Sequence, residues 1–287
     1  MRVLVTGSSG MLGSDILPIL GREFEVVAPS HGEMDITDFE RVRRAIAKGG
    51  FDWVIHLAAI TDLDWCEDNP EKAFLVNALA TKNIAEICRD TGTKLVYIST
   101  SGVFSGQKKT PYTEQDIPKP VNVYGRTKYE GEKFVQEILD EGDFLILRVG
   151  WLFGGGARDK KFVGKMFDLL RERPKVMAVD DIFGSPNYSI DIGETIVQLV
   201  EGGHYGLFHI ANSGEPASRY DIAVAIREFM GSAAEIEPVP ASKFPTRAFR
   251  PPMEAIDSIR IEDALGKKLR HWRRALEEYV KRLLRER

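Results

Sequence analysis

The chain has 287 residues, 43% hydrophobic and 29% charged, enough to bury about three quarters of its unfolded surface in one large domain or two closely joined lobes. Its 39 basic and 43 acidic residues give a formal charge of −4, which exerts no global pull on nucleic acid, and no apolar run is long enough to span a bilayer. Cys66 and Cys88 lack metal-ligand spacing and a secretory context, and His31, His56, His204, His209 and His271 are too scattered for a metal site; both cysteines read as reduced thiols of a cytoplasmic protein.

Met1-Arg2-Val3 enters an apolar strand directly, which leaves no room for a signal peptide. The strand runs into Gly7-Ser8-Ser9-Gly10-Met11-Leu12-Gly13 and then a helix through roughly Leu20. In such a turn Gly7 permits the tight bend, Gly10 lets the backbone approach a pyrophosphate, and Gly13 allows close packing of the helix, whose N-terminal amides hold the anion. The Gly-x-x-Gly-x-x-Gly spacing is one residue longer than the usual dinucleotide fingerprint.

Further β-rich runs follow at Phe24 to Ala28, Trp53 to Leu57, Lys94 to Ile98 and Phe144 to Arg148. Helical patterns at about Phe39 to Ala47, Glu71 to Arg89 and Val121 to Leu139 separate them. This alternation predicts an α/β fold, a Rossmann-like doubly wound parallel sheet, with ligand at the carboxyl ends of the strands where Gly7, Ala58, Ala59, Thr100 and Tyr124 converge. Residues 1–150 read as the dinucleotide-binding region. Residues 151–287 read mainly as a smaller C-terminal substrate-binding lobe, with some segments returning to the first. The lobe has helices at about Phe162 to Leu170 and Ser218 to Phe229. Its last segment, Lys267 to Arg287, forms a basic helix with one buried stripe of Trp272, Leu276, Tyr279, Val280 and Leu283.

Tyr124-Gly125-Arg126-Thr127-Lys128 sets a phenol and an ammonium one helical turn apart. A phenol of pKa about 10 is a poor proton carrier near neutrality, and a neighbouring Lys⁺ is expected to lower it. Such a couple exchanges protons with a carbinol or carbonyl. Thr100 adds a hydroxyl able to hold a ketone oxygen, whereas strand alternation turns Ser99 and Ser101 the other way. The bland reading of Thr100 is a strand-end hydroxyl satisfying local backbone. His56 reads as a packed strand-end histidine rather than a proton carrier.

These residues, together with Met34-Asp35-Ile36-Thr37-Asp38, Ala58-Ala59-Ile60-Thr61, Val76-Asn77-Ala78, Tyr97-Ile98-Ser99-Thr100, Val103-Phe104-Ser105-Gly106, Trp151-Leu152-Phe153-Gly154, Gly184-Ser185-Pro186, Phe208-His209-Ile210-Ala211 and Arg250-Pro251, resemble the extended short-chain dehydrogenase/reductases. Within that superfamily the chain is most similar, almost end to end, to the dTDP-4-dehydrorhamnose reductase family. The resemblance implies that Thr100, Tyr124 and Lys128 form the catalytic group. It implies dinucleotide contacts from Gly7, Gly10, Met11, Leu12, Gly13, Asp35, Ile36, Leu57, Ala58, Ala59, Ile60, Thr61 and Ile98, with Tyr124 and Lys128, and a sugar-contacting Trp151. The implied reaction is NAD(P)H-dependent reduction of the C4 ketone of a nucleotide-activated 6-deoxy sugar, dTDP-4-dehydrorhamnose to dTDP-rhamnose.

The chain departs from that family where Ser101-Gly102 replaces Asp-Tyr after the catalytic threonine, which leaves the sugar open. Ser101, with Thr100, Tyr124, Trp151 and Arg250, is expected to contact substrate. No acid stands at Ser30 after the second strand, so Ser30 and His31 are expected at the adenosine ribose and NADPH is favoured over NADH, with Glu33 close enough to complicate the choice. A homodimer is compatible with these features. The alternatives are a related epimerase or dehydratase, and a non-catalytic NADP-binding subunit like the regulatory β subunit of methionine adenosyltransferase.

Overall fold

A computed structural model describes all 287 residues. The chain opens β1 (Arg2–Thr6), α1 (Met11–Glu23), β2 (Glu25–Val27), α2 (Phe39–Gly49), β3 (Trp53–His56), α3 (Leu63–Asp68) and α4 (Pro70–Phe74). A π-helical turn, Leu75–Leu79, joins α4 to α5 (Ala80–Thr91), followed by β4 (Lys94–Thr100), α6 (Val123–Ile138) and β5 (Phe144–Val149). The second half holds β6 (Trp151–Phe153), α7 (Phe162–Glu172), β7 (Lys175–Val179), β8 (Phe183–Gly184), β9 (Pro186–Tyr188), α8 (Ser189–Glu201), β10 (Gly206–Ile210), β11 (Ala217–Ser218), α9 (Arg219–Met230), β12 (Glu235–Val239), α10 (Ile259–Leu265) and α11 (Trp272–Glu286).

The central sheet is six-stranded and parallel in the order β10-β5-β4-β3-β1-β2. Its strands are near-continuous runs such as Val3-Leu4-Val5 and Leu145-Ile146-Leu147, because helices cover both faces. On one face Val3, Val5, Ile55 and Leu147 pack with Ile16 and Leu20 of α1 and Ile192 and Ile196 of α8. On the other, Leu4, Val54 and Leu95 pack with Val42, Ile84 and Val135 of α2, α5 and α6. A further core joins Phe167, Ile226, Tyr279 and Leu283 of α7, α9 and α11 under β7 and β12. The stripe expected on the last helix, Trp272, Leu276, Tyr279, Val280 and Leu283, is buried there.

The expected elements of the first half are present with edges shifted by up to three residues, apart from the unexpected short helix α3 and one interruption. The helix expected over Glu71 to Arg89 is broken by the π turn, which places fully buried Asn77 between the loop after β3 and helix α6: its amide donates to the Ile60 carbonyl (3.0 Å) and the Thr127 hydroxyl (3.1 Å), and its oxygen accepts from the Ile60 amide (2.8 Å). In the second half, β10 pairs with β5 and α8 packs against α1, so both join the central sheet and its helical layer. No helix is long and apolar enough to cross a membrane.

Candidate active site

At the carboxyl ends of β1, β3 and β4 lies a cavity of about 320 Å³. Its floor is the glycine loop. Gly7 has φ +70°, and a Cβ there would lie 2.6 Å from the Ala58 amide nitrogen; a Cβ on Gly13 would strike the Ser8 carbonyl. A Cβ on Gly10, by contrast, would meet only the Gly7 carbonyl, at 3.2 Å, so its bare backbone faces the cavity. Gly10 is also the N-cap of α1: no side chain caps that end, and no acid lies in its first turn. Open helix amides beside bare glycine form a cradle for the pyrophosphate of a dinucleotide, and these residues fit that group. The Ser8 hydroxyl donates to the Pro29 carbonyl (2.9 Å), tying the loop to the segment after β2.

The catalytic candidates meet at the far end. Asn122 caps α6, its side chain accepting from the Gly125 amide (2.8 Å), which sets Tyr124 in the first turn and Lys128 in the next. Both line the cavity with Thr100, the last residue of β4. Burial pushes the Tyr124 phenol up to about 12, while its hydrogen bond with Thr100 acts to lower it. Burial also pulls the Lys128 ammonium down to about 7, opposed by the Glu132 carboxylate. Its Nζ lies 4.0 Å from the Tyr97 ring centroid. The phenol therefore lies above its ordinary value rather than below it as expected from Lys128: burial dominates, and the group that acts to lower it is Thr100. The Thr100 hydroxyl meanwhile accepts from the Gly102 amide (3.1 Å), so it serves local backbone as well as the tyrosine.

Of the other expected contacts, the cavity brings together Gly7, Gly10, Met11, Leu12, Gly13, Leu57, Ala59, Thr61, Ile98 and Trp151. Ala58 and Ile60 belong to the same loop, with Ala58 packed on Gly7 and Ile60 held by Asn77. Ser30, His31, Asp35 and Ile36 lie beyond β2, outside this cavity. Both the amide and hydroxyl of Ser30 donate to Glu33 (2.8 Å each), Asp35 accepts from Thr37, and Ile36 is buried. Ser101 does not reach the cavity: it is buried in a short 3₁₀ turn against α6, because the chain bends sharply after Thr100. His56 is packed as expected, its ring nitrogens on Thr6 (2.7 Å) and Thr81 (3.2 Å), and burial holds it down to about 3.

The opposite wall comes from the C-terminal lobe. The Trp151 indole donates to buried Glu254 (2.7 Å), and the Arg219 guanidinium lies 3.8 Å over the same ring and 4.8 Å from that of Phe162. Arg219 makes no hydrogen bond or ion pair within the chain, and burial draws it down to about 10. Trp151 and Arg219 also border a second cavity of about 590 Å³ lined by Ala241, Ser242, Phe244 to Arg250 and Glu254. There Arg250 bonds Asp64 (3.1 Å) through one nitrogen, while its other terminal nitrogen is buried without a partner. Lys161 reaches across the first cavity to the Thr61 hydroxyl (2.9 Å). Arg219, Glu254 and Lys161 were not anticipated from sequence, since no local motif marks them; Ser218 before a helical pattern marked only the helix start.

A dinucleotide cradle facing a Thr/Tyr/Lys group on a parallel sheet defines a Rossmann-type oxidoreductase. The RmlD substrate binding domain family matches residues 1–285. The chain is 37% identical to a dTDP-4-dehydrorhamnose reductase of Mycolicibacterium smegmatis over 97% of this chain and 85% of that one. It is 35% identical to a dTDP-4-keto-6-deoxy-D-glucose reductase of Streptomyces niveus over 96% and 95% respectively. The crystal structure of dTDP-4-dehydrorhamnose reductase from Bacillus anthracis in complex with NADP superposes with a TM-score of 0.91 at 31% identity, covering 97% of this chain and 98% of that one. The chain belongs to the dTDP-4-dehydrorhamnose reductase family.

Proposed function

We propose that this chain reduces the C4 ketone of a nucleotide-activated 6-deoxy sugar, dTDP-4-dehydrorhamnose to dTDP-rhamnose, with NADPH. The observation that carries this reading is the Tyr124 phenol beside Thr100 in the same cavity as the open glycine cradle. NADPH, when bound, supplies the hydride. Gly10 to Gly13 would hold its pyrophosphate on the α1 amides, Leu57, Ala59, Thr61 and Ile98 would line its cavity, and Lys128 would bond the nicotinamide ribose. Tyr124 gives its proton to the ketone oxygen, and Thr100 holds that oxygen as charge develops on it. The Trp151 ring closes the sugar end. The second cavity takes the nucleotide, with the Arg219 guanidinium and the unpartnered terminal nitrogen of Arg250 at its diphosphate. The absence of an acid at Ser30 supports NADPH over NADH.

NADPH consumption with freshly made dTDP-4-keto-6-deoxy-L-mannose tests the proposal. The 4-keto-6-deoxy-D-glucose isomer and other nucleotide sugars are run beside it. Turnover confined to the D-isomer would reassign the substrate, and tight NADPH binding with no turnover of any sugar would point to the regulatory-subunit alternative.

A further inference from the structure

Below the catalytic group, between β4, β5 and α6, a charged cluster is shut away from water. Glu132 lies one turn beyond Lys128 on α6 and is fully buried. Arg148 of β5, also buried, grips it bidentately, Nε to Oε1 at 2.9 Å and a terminal nitrogen to Oε2 at 2.6 Å. Ser99, next to Thr100 on β4, donates to the same carboxylate. Beyond it, Arg148 stands 3.5 Å from His209 Nε2, and His209 Nδ1 donates to the Asp257 carbonyl (3.1 Å). A buried ion pair is weak evidence for stability, since its desolvation cost is comparable to its Coulombic gain. This one touches the strand that carries Thr100 and the helix that carries Tyr124 and Lys128.

Several other ionisable groups stand around Lys128. On its own helix these are Tyr124 and Glu132. From the elements packed against α6 they are Tyr97 of β4 beneath the ammonium, His56 of β3, Arg148 of β5, Cys66 and Glu67 of α3, Glu71 of α4, and Lys82 of α5, which lies over the Phe134 ring. His56 is neutral and hydrogen-bonded on both nitrogens, the Glu67 carboxylate accepts from the Val123 amide, and Glu71 borders an outer groove. Glu132 is the carboxylate that acts on the lysine.

We propose that the Glu132–Arg148 pair is a positioning element for Lys128: the carboxylate supplies the field that keeps the buried ammonium charged, and the guanidinium limits that field. Working through Lys128, it rests on the reading of that lysine as part of the catalytic group. Burial alone draws the ammonium toward neutrality, and the partly compensated carboxylate holds it near the middle of the physiological range. The two halves of one ion pair must then act in opposite directions. Glu132→Gln removes the favourable field, and Arg148→Gln leaves the carboxylate uncompensated.

The test is a lysine Cε-labelled NMR titration of the full chain without cofactor, the Lys128 signal being the one missing in Lys128→Met. We expect the Lys128 midpoint to fall by about one unit in Glu132→Gln and to rise by about one unit in Arg148→Gln. Arg148→Lys, which keeps the charge, should stay within about half a unit of the wild type. Ser99→Ala takes one donor from the carboxylate and keeps the pair, so it gives a smaller upward shift and serves if the charge variants do not fold. Shifts of the same sign in both Gln variants, or an unmoved Lys128 signal in folded Ser99→Ala, overturn the proposal. The alkaline limb of kcat/KM, where the ammonium loses its proton, is measured in the same variants. A limb that ignores a Lys128 midpoint which does move would sink the catalytic reading and leave the coupling standing.

Discussion

The two walls of the cavity are built in opposite ways. The dinucleotide wall is backbone: Gly7, Gly10 and Gly13 lie within seven residues of one another, and the end of α1 is left without a cap. The facing wall is side chains drawn from β6, α7, α9 and the segment before α10, held by charge: Arg219 on Trp151, Glu254 on the indole, Arg250 on Asp64. Amides aimed at an anion suit any dinucleotide, whereas stacked and paired side chains suit one substrate. Reaction type and substrate identity are thus written in separate parts of the molecule.

Tyr124→Phe should break this contrast most deeply. Removing the proton donor lowers kcat/KM by roughly 10²–10⁴-fold, and NADPH affinity, read by fluorescence titration, should hardly change. Near wild-type turnover would remove Tyr124 from the chemistry. Arg219→Gln attacks the other wall. Loss of a charge-assisted contact to a diphosphate, about 1.5–3 kcal/mol, should raise KM for the nucleotide sugar by roughly 10- to 100-fold and leave NADPH binding alone. Equal loss of both ligands would make Arg219 a structural prop for Trp151.

Ser30→Asp sharpens the comparison at its mildest point. A carboxylate there should repel a 2′-phosphate and move the NADPH/NADH preference by about tenfold toward NADH. Unchanged titrations would place the adenosine ribose elsewhere. The smallest effect is on stability. His56 and His209 are buried and held down to about 3 from an ordinary 6.5, so between those values the unfolded chain binds more protons. Stability present above about pH 6.5 is then lost as pH falls toward 3. Melting temperature should drop on the order of 5 °C between pH 6.5 and 5, and His209→Gln should remove about half of that. A flat melting curve over this range would contradict the buried neutral imidazoles.

Much of the cofactor wall was legible because its signals are local. Strand, glycine turn and helix follow each other in thirteen residues, and Tyr124 to Lys128 is a single helical turn. Three features needed the third dimension. The π turn at Leu75–Leu79 hides inside a helical pattern, because Leu-Val-Asn-Ala-Leu holds no glycine or proline to mark a break. The phenol pKa was expected to fall because a lysine neighbour is visible in sequence and burial is not. Ser101 looked placed for substrate by adjacency to Thr100, yet the sharp turn after β4 folds it under α6. Arg219, Glu254 and Lys161 become neighbours of the site only through long-range contacts, Glu254 with Trp151, Lys161 with Thr61, and Arg219 with the rings of Trp151 and Phe162.

The return of α8 and β10 bears on how such a protein can be altered. Severing the chain after Gly150 would strip β5 of its outer hydrogen-bonding partner and uncover the flank of α1 where Ile16 and Ile19 meet α8. The remnant would offer a bare apolar strand to its own copies and associate edge to edge. A foreign half grafted onto the first 150 residues would therefore have to bring its own counterparts of α8 and β10, and a more direct route to new sugars lies in exchanging side chains along the second cavity within the intact chain.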